Sequence, residues 1–276
     1  MAVLLSLMAA LSYGLADFCG GMASKRASAW GVALVASATG AVLVLAATLL
    51  LGGEPTAADL WWGAAAGIGN GFGTAFLYRG LSSGRMGVVA PVSGVGAAVI
   101  PVAVGVLLGE RPDPLVWVGI LLALPAIWLV ARGPSGSPAA APGGVVDGAL
   151  AGLGFGFLFV ALAQVGDDAG LLPLAVNQVV AGVVIVLIAT ALGQPWRPQR
   201  SALLGGAAAG ALGAAATVCF LLATREGYLS IASVVTSLYP AFTVILAATL
   251  LREHVHRAQA VGLLLCAVAV TLVAAG

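Results

Sequence analysis

Asp17 is the one acidic residue well inside a long apolar run, in the stretch SYGLADF that begins at Ser12. A carboxyl in such a place is costly and usually marks a function. Three uses are open to it. It can form a structural or gating ion pair with a nearby cation such as Arg79, it can carry a proton or meet a cationic solute, or it can reach back to the aqueous boundary. Tyr13 lies one turn before it. Other polar residues are scattered through equally apolar surroundings: Asn70 and Thr74 in GIGNGFGTAF, Ser93 after Pro91, the adjacent amides Asn177 and Gln178, and Thr236, Ser237 and Tyr239 before Pro240. Each needs a hydrogen-bond partner if buried. Together they offer hydrogen bonds and one negative charge to a small solute. Pro91 and Pro240 each remove a backbone donor from a helical run, so helix breaks and freed carbonyls are expected at both.

Other constellations carry less. Glu253, His254 and His256 crowd one connection, where a solvated loop accounts for them better than a metal site does. Glu110, beside Arg111, and Glu253, beside Arg252, end corresponding runs and read as solvated ion pairs. Cys19, Cys219 and Cys266 are single thiols in apolar runs, without metal-ligand spacing. The chain has no HExxH, no paired carboxylates within its apolar runs and no Walker-type GxxxxGK[ST]. Neither a metal nor another cofactor is expected, and an enzyme is the minor reading.

The elements that position these residues follow from composition. Of 276 residues, 61% are hydrophobic and only 8% charged, against about 25% charged in soluble domains. Lipid must therefore be the solvent for most of the chain. Breaking the sequence at charges, prolines and glycine clusters leaves ten runs long enough to cross a bilayer. They are roughly 3–23, 30–52, 59–80, 86–108, 114–132, 147–166, 171–192, 201–223, 228–251 and 258–275. The first run lacks a basic n-region, so it is expected to be an uncleaved span. Trp61 and Trp62 open the third and suit an interfacial anchor. A flexible linker, 133–146, leaves five spans on each side, 1–132 and 147–276.

The halves are related. GAAAG occurs at Gly63 and again at Gly206, 143 residues later, and the register continues: Thr74 meets Thr217, Gly84 meets Gly227, Glu110 meets Glu253 and Gly119 meets Gly262. One residue closer, GAVLVLAAT from Gly40 meets GVVIVLIAT from Gly182, and SYG at Ser12 meets GFG at Gly154. Five spans per copy put the second copy into the membrane upside down. The basic residues agree: nine lie in odd-numbered connections, and only Arg111 and Arg225 lie in even ones. The positive-inside rule then places both termini outside. The expected fold is all-α, ten transmembrane helices arranged as two inverted five-helix repeats.

The residues also resemble a family. The segment from Ala223, with its small-residue helix, mid-span Pro240, LLRE at Leu250 and glycine-led final helix, is similar to the end of an EamA domain of the drug/metabolite transporter superfamily. GVVAPVSGVGAAVIPVAVGVLLGER repeats the pattern in the first copy, and SYGLADF resembles the family's opening helix. The first copy departs from it, since Pro91 and Pro101 flank the place of Pro240. The resemblance implies ten helices, a central cavity between the halves and secondary transport of small metabolites or drugs, often export.

Inverted repeats suit alternating access, with the solute near midplane between the halves. The expected activity is thus movement of a small neutral, zwitterionic or weakly cationic solute, an amino acid among the candidates, across a bacterial plasma membrane, with export favoured. The expected binding set is Tyr13, Asp17, Asn70, Thr74, Ser93, Asn177, Thr236 and Tyr239, and Pro91, Pro240 and Arg79 are the helix-break or gating set. Proton coupling is left open at Asp17. The bilayer is the surrounding partner, nucleic acid is not expected, and the chain is read as a monomer or weak homodimer. A sensor subunit or membrane enzyme without a soluble domain is the alternative.

Overall fold

Apolar runs rich in alanine, leucine and valine satisfy their backbone groups internally as helices, which lipid demands. The protein's structure, a computed structural model, describes residues 1–82, 86–130, 142–250 and 256–275. Among them the regular elements are all helical: α1 (Ala2–Ser24), α2 (Ala29–Leu51), α3 (Ala57–Ser82), α4 (Met86–Leu107), α5 (Pro114–Val130), α6 (Pro142–Leu162), α7 (Leu172–Ala191), α8 (Arg200–Arg225), α9 (Leu229–Thr236), α10 (Tyr239–Leu250) and α11 (Arg257–Ala275). A single 3-10 turn, Asp167–Ala169, precedes α7.

Seven segments among the described residues are long and apolar enough to cross a bilayer, with Leu229–Leu246 joining α9 and α10 as one; Val92–Leu107 and Pro114–Val130 are shorter apolar helices. α3 is long, but its six glycines and its polar residues dilute it. The chain is a multi-pass membrane protein. Its outer surface is accordingly leucine-rich, with Leu50 and Leu204 both 86% exposed, while Asp17, Asn177 and a series of serines lie inside. Trp61 at the start of α3 is largely exposed, as an interfacial anchor would be.

Glycine sets how closely the helices approach. A Cβ on Gly67 would come 2.6 Å from the carbonyl oxygen of Asn177, and one on Gly71 would come 2.5 Å from that of Ala181; Gly63 presses likewise on Pro173. The constant register makes α3 and α7 parallel neighbours. The second GAAAG does the same on α8, where Gly206 meets Val32 and Val35 and Gly210 meets Ala36 of α2. A second glycine row, Gly69 and Gly73, packs against Phe155, Gly154 and Leu158 of α6. The repeated pentapeptide is thus a pair of small-residue seams, where van der Waals contact holds helices together in lipid.

Helices that match in sequence run in opposite directions where they touch. Gly31 of α2 lies by Pro198, beyond the end of α7, whereas Gly40 lies by Gln178 near the start of α7. Likewise Gly119 of α5 meets Ala269 and Val273 of α11, and Gly262 of α11 meets Val130.

The proline expectation divides. The ninth run is split, α9 ending at Thr236 and α10 starting at Tyr239, so that Pro240 sits in a first helical turn where its missing N–H is harmless. Pro91 differs: α4 continues through positions 91 and 101 without a break. Each proline removes one bond of the ladder, and the intervening turns hold the helix together. Pro125 also sits inside α5. Glu253 and His254 lie outside the described residues, as does the linker from 133 to 141.

Glu110 corrects the solvated-pair expectation. Its carboxylate accepts the backbone N–H of Leu229 at 2.6 Å and of Ser230 at 3.1 Å, and Arg111 donates to the Glu110 carbonyl instead. Charge at a helix N-terminus satisfies donors that have no intrahelical partner.

Candidate functional site

A helix with small residues on one side can carry polar groups toward a neighbour without exposing them to lipid. On α1, Tyr13, Asp17 and Gly20 follow helical spacing on one inward face. Gly14 presses on Tyr239 and Phe242 of α10, and the ring of Tyr78 occupies the place of a side chain at Gly20. These contacts fix α1 so that Tyr13 and Asp17 line a central cavity of about 50 Å³. Its other walls include Ser37 of α2, Asn70, Thr74 and Tyr78 of α3, Phe155 of α6, Gln178 of α7 and Thr217 of α8. That space holds a water or two, so a metabolite requires a more open arrangement.

The polar groups form two clusters. Asn70 is the hub of the first: its Nδ2 donates to Asn177 Oδ1 and Gln178 Oε1, both at 3.2 Å, and its Oδ1 accepts the Thr74 hydroxyl at 3.2 Å. In the second, Thr217 donates to the Gly213 carbonyl at 2.7 Å, which leaves Tyr13 as the donor in their 3.1 Å contact. Asp17 lines the same cavity, 6% exposed, and among the described residues its Oδ2 has no hydrogen-bond partner. Among the described residues no lysine or arginine lines the cavity.

The cavity gathers Tyr13, Asp17, Asn70 and Thr74 from the expected set. Asn177 stands behind the wall, fully buried, and holds Asn70, while its neighbour Gln178 faces the cavity. Ser93, Thr236 and Tyr239 belong elsewhere. Ser93 and Tyr239 hydrogen-bond to each other and converge on the Ala90 carbonyl, pinning α4 to α10, and Thr236 reaches Ser6 O at 3.4 Å. The Tyr239 ring still touches the site edge-on, 6.3 Å from that of Tyr13. Arg79 pairs with Asp147 of α6 rather than with Asp17, donating from Nε at 2.9 Å, and its guanidinium lies 4.4 Å from the centre of the Phe76 ring. Ser37, Tyr78 and Phe155 are lining residues that sequence reasoning missed. Phe155 had one signal, its alignment with Tyr13 across the repeat.

Repeat-related positions meet here. At the spacing of 142 residues, Tyr13 corresponds to Phe155 and Ala36 to Gln178; at 143, Asn70 corresponds to Gly213 and Thr74 to Thr217. All eight line the one cavity. The chain matches the EamA-like transporter family over residues 1–132 and again over 143–275. It belongs to that family, within the drug/metabolite transporter superfamily. A solved structure described only as a crystal structure of protein aligns with this EamA-like chain at a TM-score of 0.75 and 19% identity, covering 98% of this chain and 95% of the other. At that identity the likeness concerns the fold alone. Among curated proteins, none matches the sequence.

Proposed function

We propose that this EamA-like protein is a secondary-active transporter of a small solute with a hydrogen-bonding or cationic end and an apolar body, working by alternating access between two inverted five-helix halves, 1–132 and 147–276. The observation that carries the reading is the meeting of repeat-related residues from both halves on a single polar cavity. The antiparallel runs of α2 against α7 and of α5 against α11 support it, since equivalent helices of an inverted repeat must oppose one another. Ten spans, an inner-membrane location and termini on the outer face complete the proposal; export remains the favoured direction.

In this reading Asp17 receives the solute's cationic group or a coupled proton. Asn70, Gln178 and Thr217 orient its polar end, and Phe155 bounds its apolar part. Tyr13 and Tyr78 are the titratable groups that share the cavity with Asp17. Arg79, tied to Asp147, acts as a gating contact between α3 and α6 at the end opposite to Glu110. Few charges in the chain, and no lining cation among the described residues, argue against phosphorylated or multiply anionic solutes.

The test is flux in proteoliposomes containing this protein alone, with a panel of labelled amino acids and aliphatic or aromatic amines. Saturable uptake of one panel member, with a raised half-saturation concentration in Asp17→Asn, is the expected result. Uptake that is indifferent to Asp17→Asn removes the role assigned to that carboxylate. Absence of saturable flux for every class, with the protein correctly inserted, overturns the transporter reading.

A further inference from the structure

A buried stretch of helix in a membrane protein is normally apolar, because each buried hydroxyl needs a partner. Helix α9 is different. In LSIASVVT and the following Ser237, four hydroxyl residues, Ser230, Ser233, Thr236 and Ser237, are fully buried. Ser230, Ser233 and Ser237 follow the i, i+3, i+7 spacing of one face. Among the described residues the Oγ atoms of Ser230 and Ser237 have no hydrogen-bond partner, and the Ser233 hydroxyl donates back to Ser230 O at 3.1 Å. Burial of an unpaired hydroxyl is destabilising. Such a face makes physical sense if it becomes wet in another conformation.

Two features let α9 move as a unit. At its C-terminal end the regular helix gives way to a turn at Ser237–Leu238, ahead of Pro240, where Leu238 N donates to Val235 O at 3.2 Å and Ala241 N to Leu238 O at 2.9 Å. Its N-terminal cap is borrowed: Tyr228, the residue at the cap position, makes no side-chain capping bond, and both oxygens of Glu110 supply it from the α4–α5 connection. The end of α4 is built to aim that carboxylate. Gly109 has φ of 97°, a left-handed turn that favours glycine, and Glu110 N donates back to Gly105 O at 2.9 Å. A Cβ on Gly105 would collide with the Glu110 carboxylate.

We propose that the hydroxyl face of α9 is a solute-contacting surface, closed off in this conformation, and that Glu110 is the latch that keeps it closed. The ligand class is a small hydrogen-bonding solute passing between the N-terminal end of α9 and the cavity. This rests on the transporter reading above, but its test does not require flux. In a protein with Cys19, Cys219 and Cys266 replaced by alanine, Ser233→Cys is exposed to a membrane-impermeant maleimide added in turn to each side of sealed vesicles. Labelling is slow while Glu110 is intact. It accelerates at least about tenfold in Glu110→Gln, the effect of losing about 1.4 kcal/mol of charge-assisted bonding. Gly105→Ala, which displaces the carboxylate without removing it, gives the same acceleration. Val234→Cys on the same helix stays unreactive in all three backgrounds. Equal rates for Ser233→Cys with and without the latch overturn the proposal, and so does parallel acceleration at Val234→Cys, which would mean that α9 merely unfolds. Loss of flux with this labelling pattern intact counts against the transporter reading and leaves the latch standing.

Discussion

Asn70 holds more of the site together than its single amide suggests. Its two ends engage Asn177, Gln178 and Thr74, drawing α3 and α7 into one network. Asn70→Ala removes the shared donor and leaves the side-chain oxygens of Asn177 and Gln178 without it. The expected cost is about 1–3 kcal/mol, read as a lowered midpoint of thermal unfolding in detergent, together with weakened transport. Asp17→Asn keeps the shape and removes the charge, so folding should survive while apparent affinity for a cationic solute falls about tenfold to a hundredfold. Comparing midpoint and half-saturation across the two variants separates architecture from recognition. Arg79→Ala strips Asp147, a 9%-exposed carboxylate, of its partner. Because the arginine itself is 36% exposed, the loss should lie between the surface and buried limits, about 1–3 kcal/mol, and should be partly recovered by Asp147→Asn in the same chain.

At the scale of elements, the small-residue seams are where bulk is least tolerated. Gly210→Val places a branched side chain against the Ala36 backbone, which cannot retreat as a flexible side chain can. Overpacking of about 1–3 kcal/mol or more is expected, measurable as lower yield of folded protein and a lower unfolding midpoint. Helix positions were legible because charges, prolines and glycine clusters interrupt apolar runs, and lipid leaves helix as the available backbone state for each run. The Asn70 network, the pairing of Arg79 with Asp147, and Glu110 as a cap were not legible. Each joins residues distant in the chain, and no local pattern specifies such partners. Asp147 escaped notice because α6 begins at Pro142, which draws that carboxylate inside the helix rather than leaving it at the helix start. The seams were half visible: the repeated GAAAG announced two equivalent surfaces without saying what each would touch.

At the scale of the whole molecule, opposite insertion of the halves predicts opposite reporter signals. Tags in equivalent connections, one after α3 and one after α8, should report opposite sides of the membrane. The same side for both would remove the inverted arrangement. The two halves are nonetheless unequal at their meeting point. At the spacing that aligns Tyr13 with Phe155, Asp17 aligns with Phe159, so the carboxylate has an aromatic counterpart rather than a second acid. A cationic ligand must therefore sit off the pseudo-twofold axis, nearer α1 than α6. Swapping one half for the other does not return the same environment, so in the proposed alternating-access cycle the inward and outward forms differ in energy once loaded. Half-saturation concentrations on the two faces of the membrane should then be unequal, even for a downhill carrier whose net flux vanishes at equal concentrations.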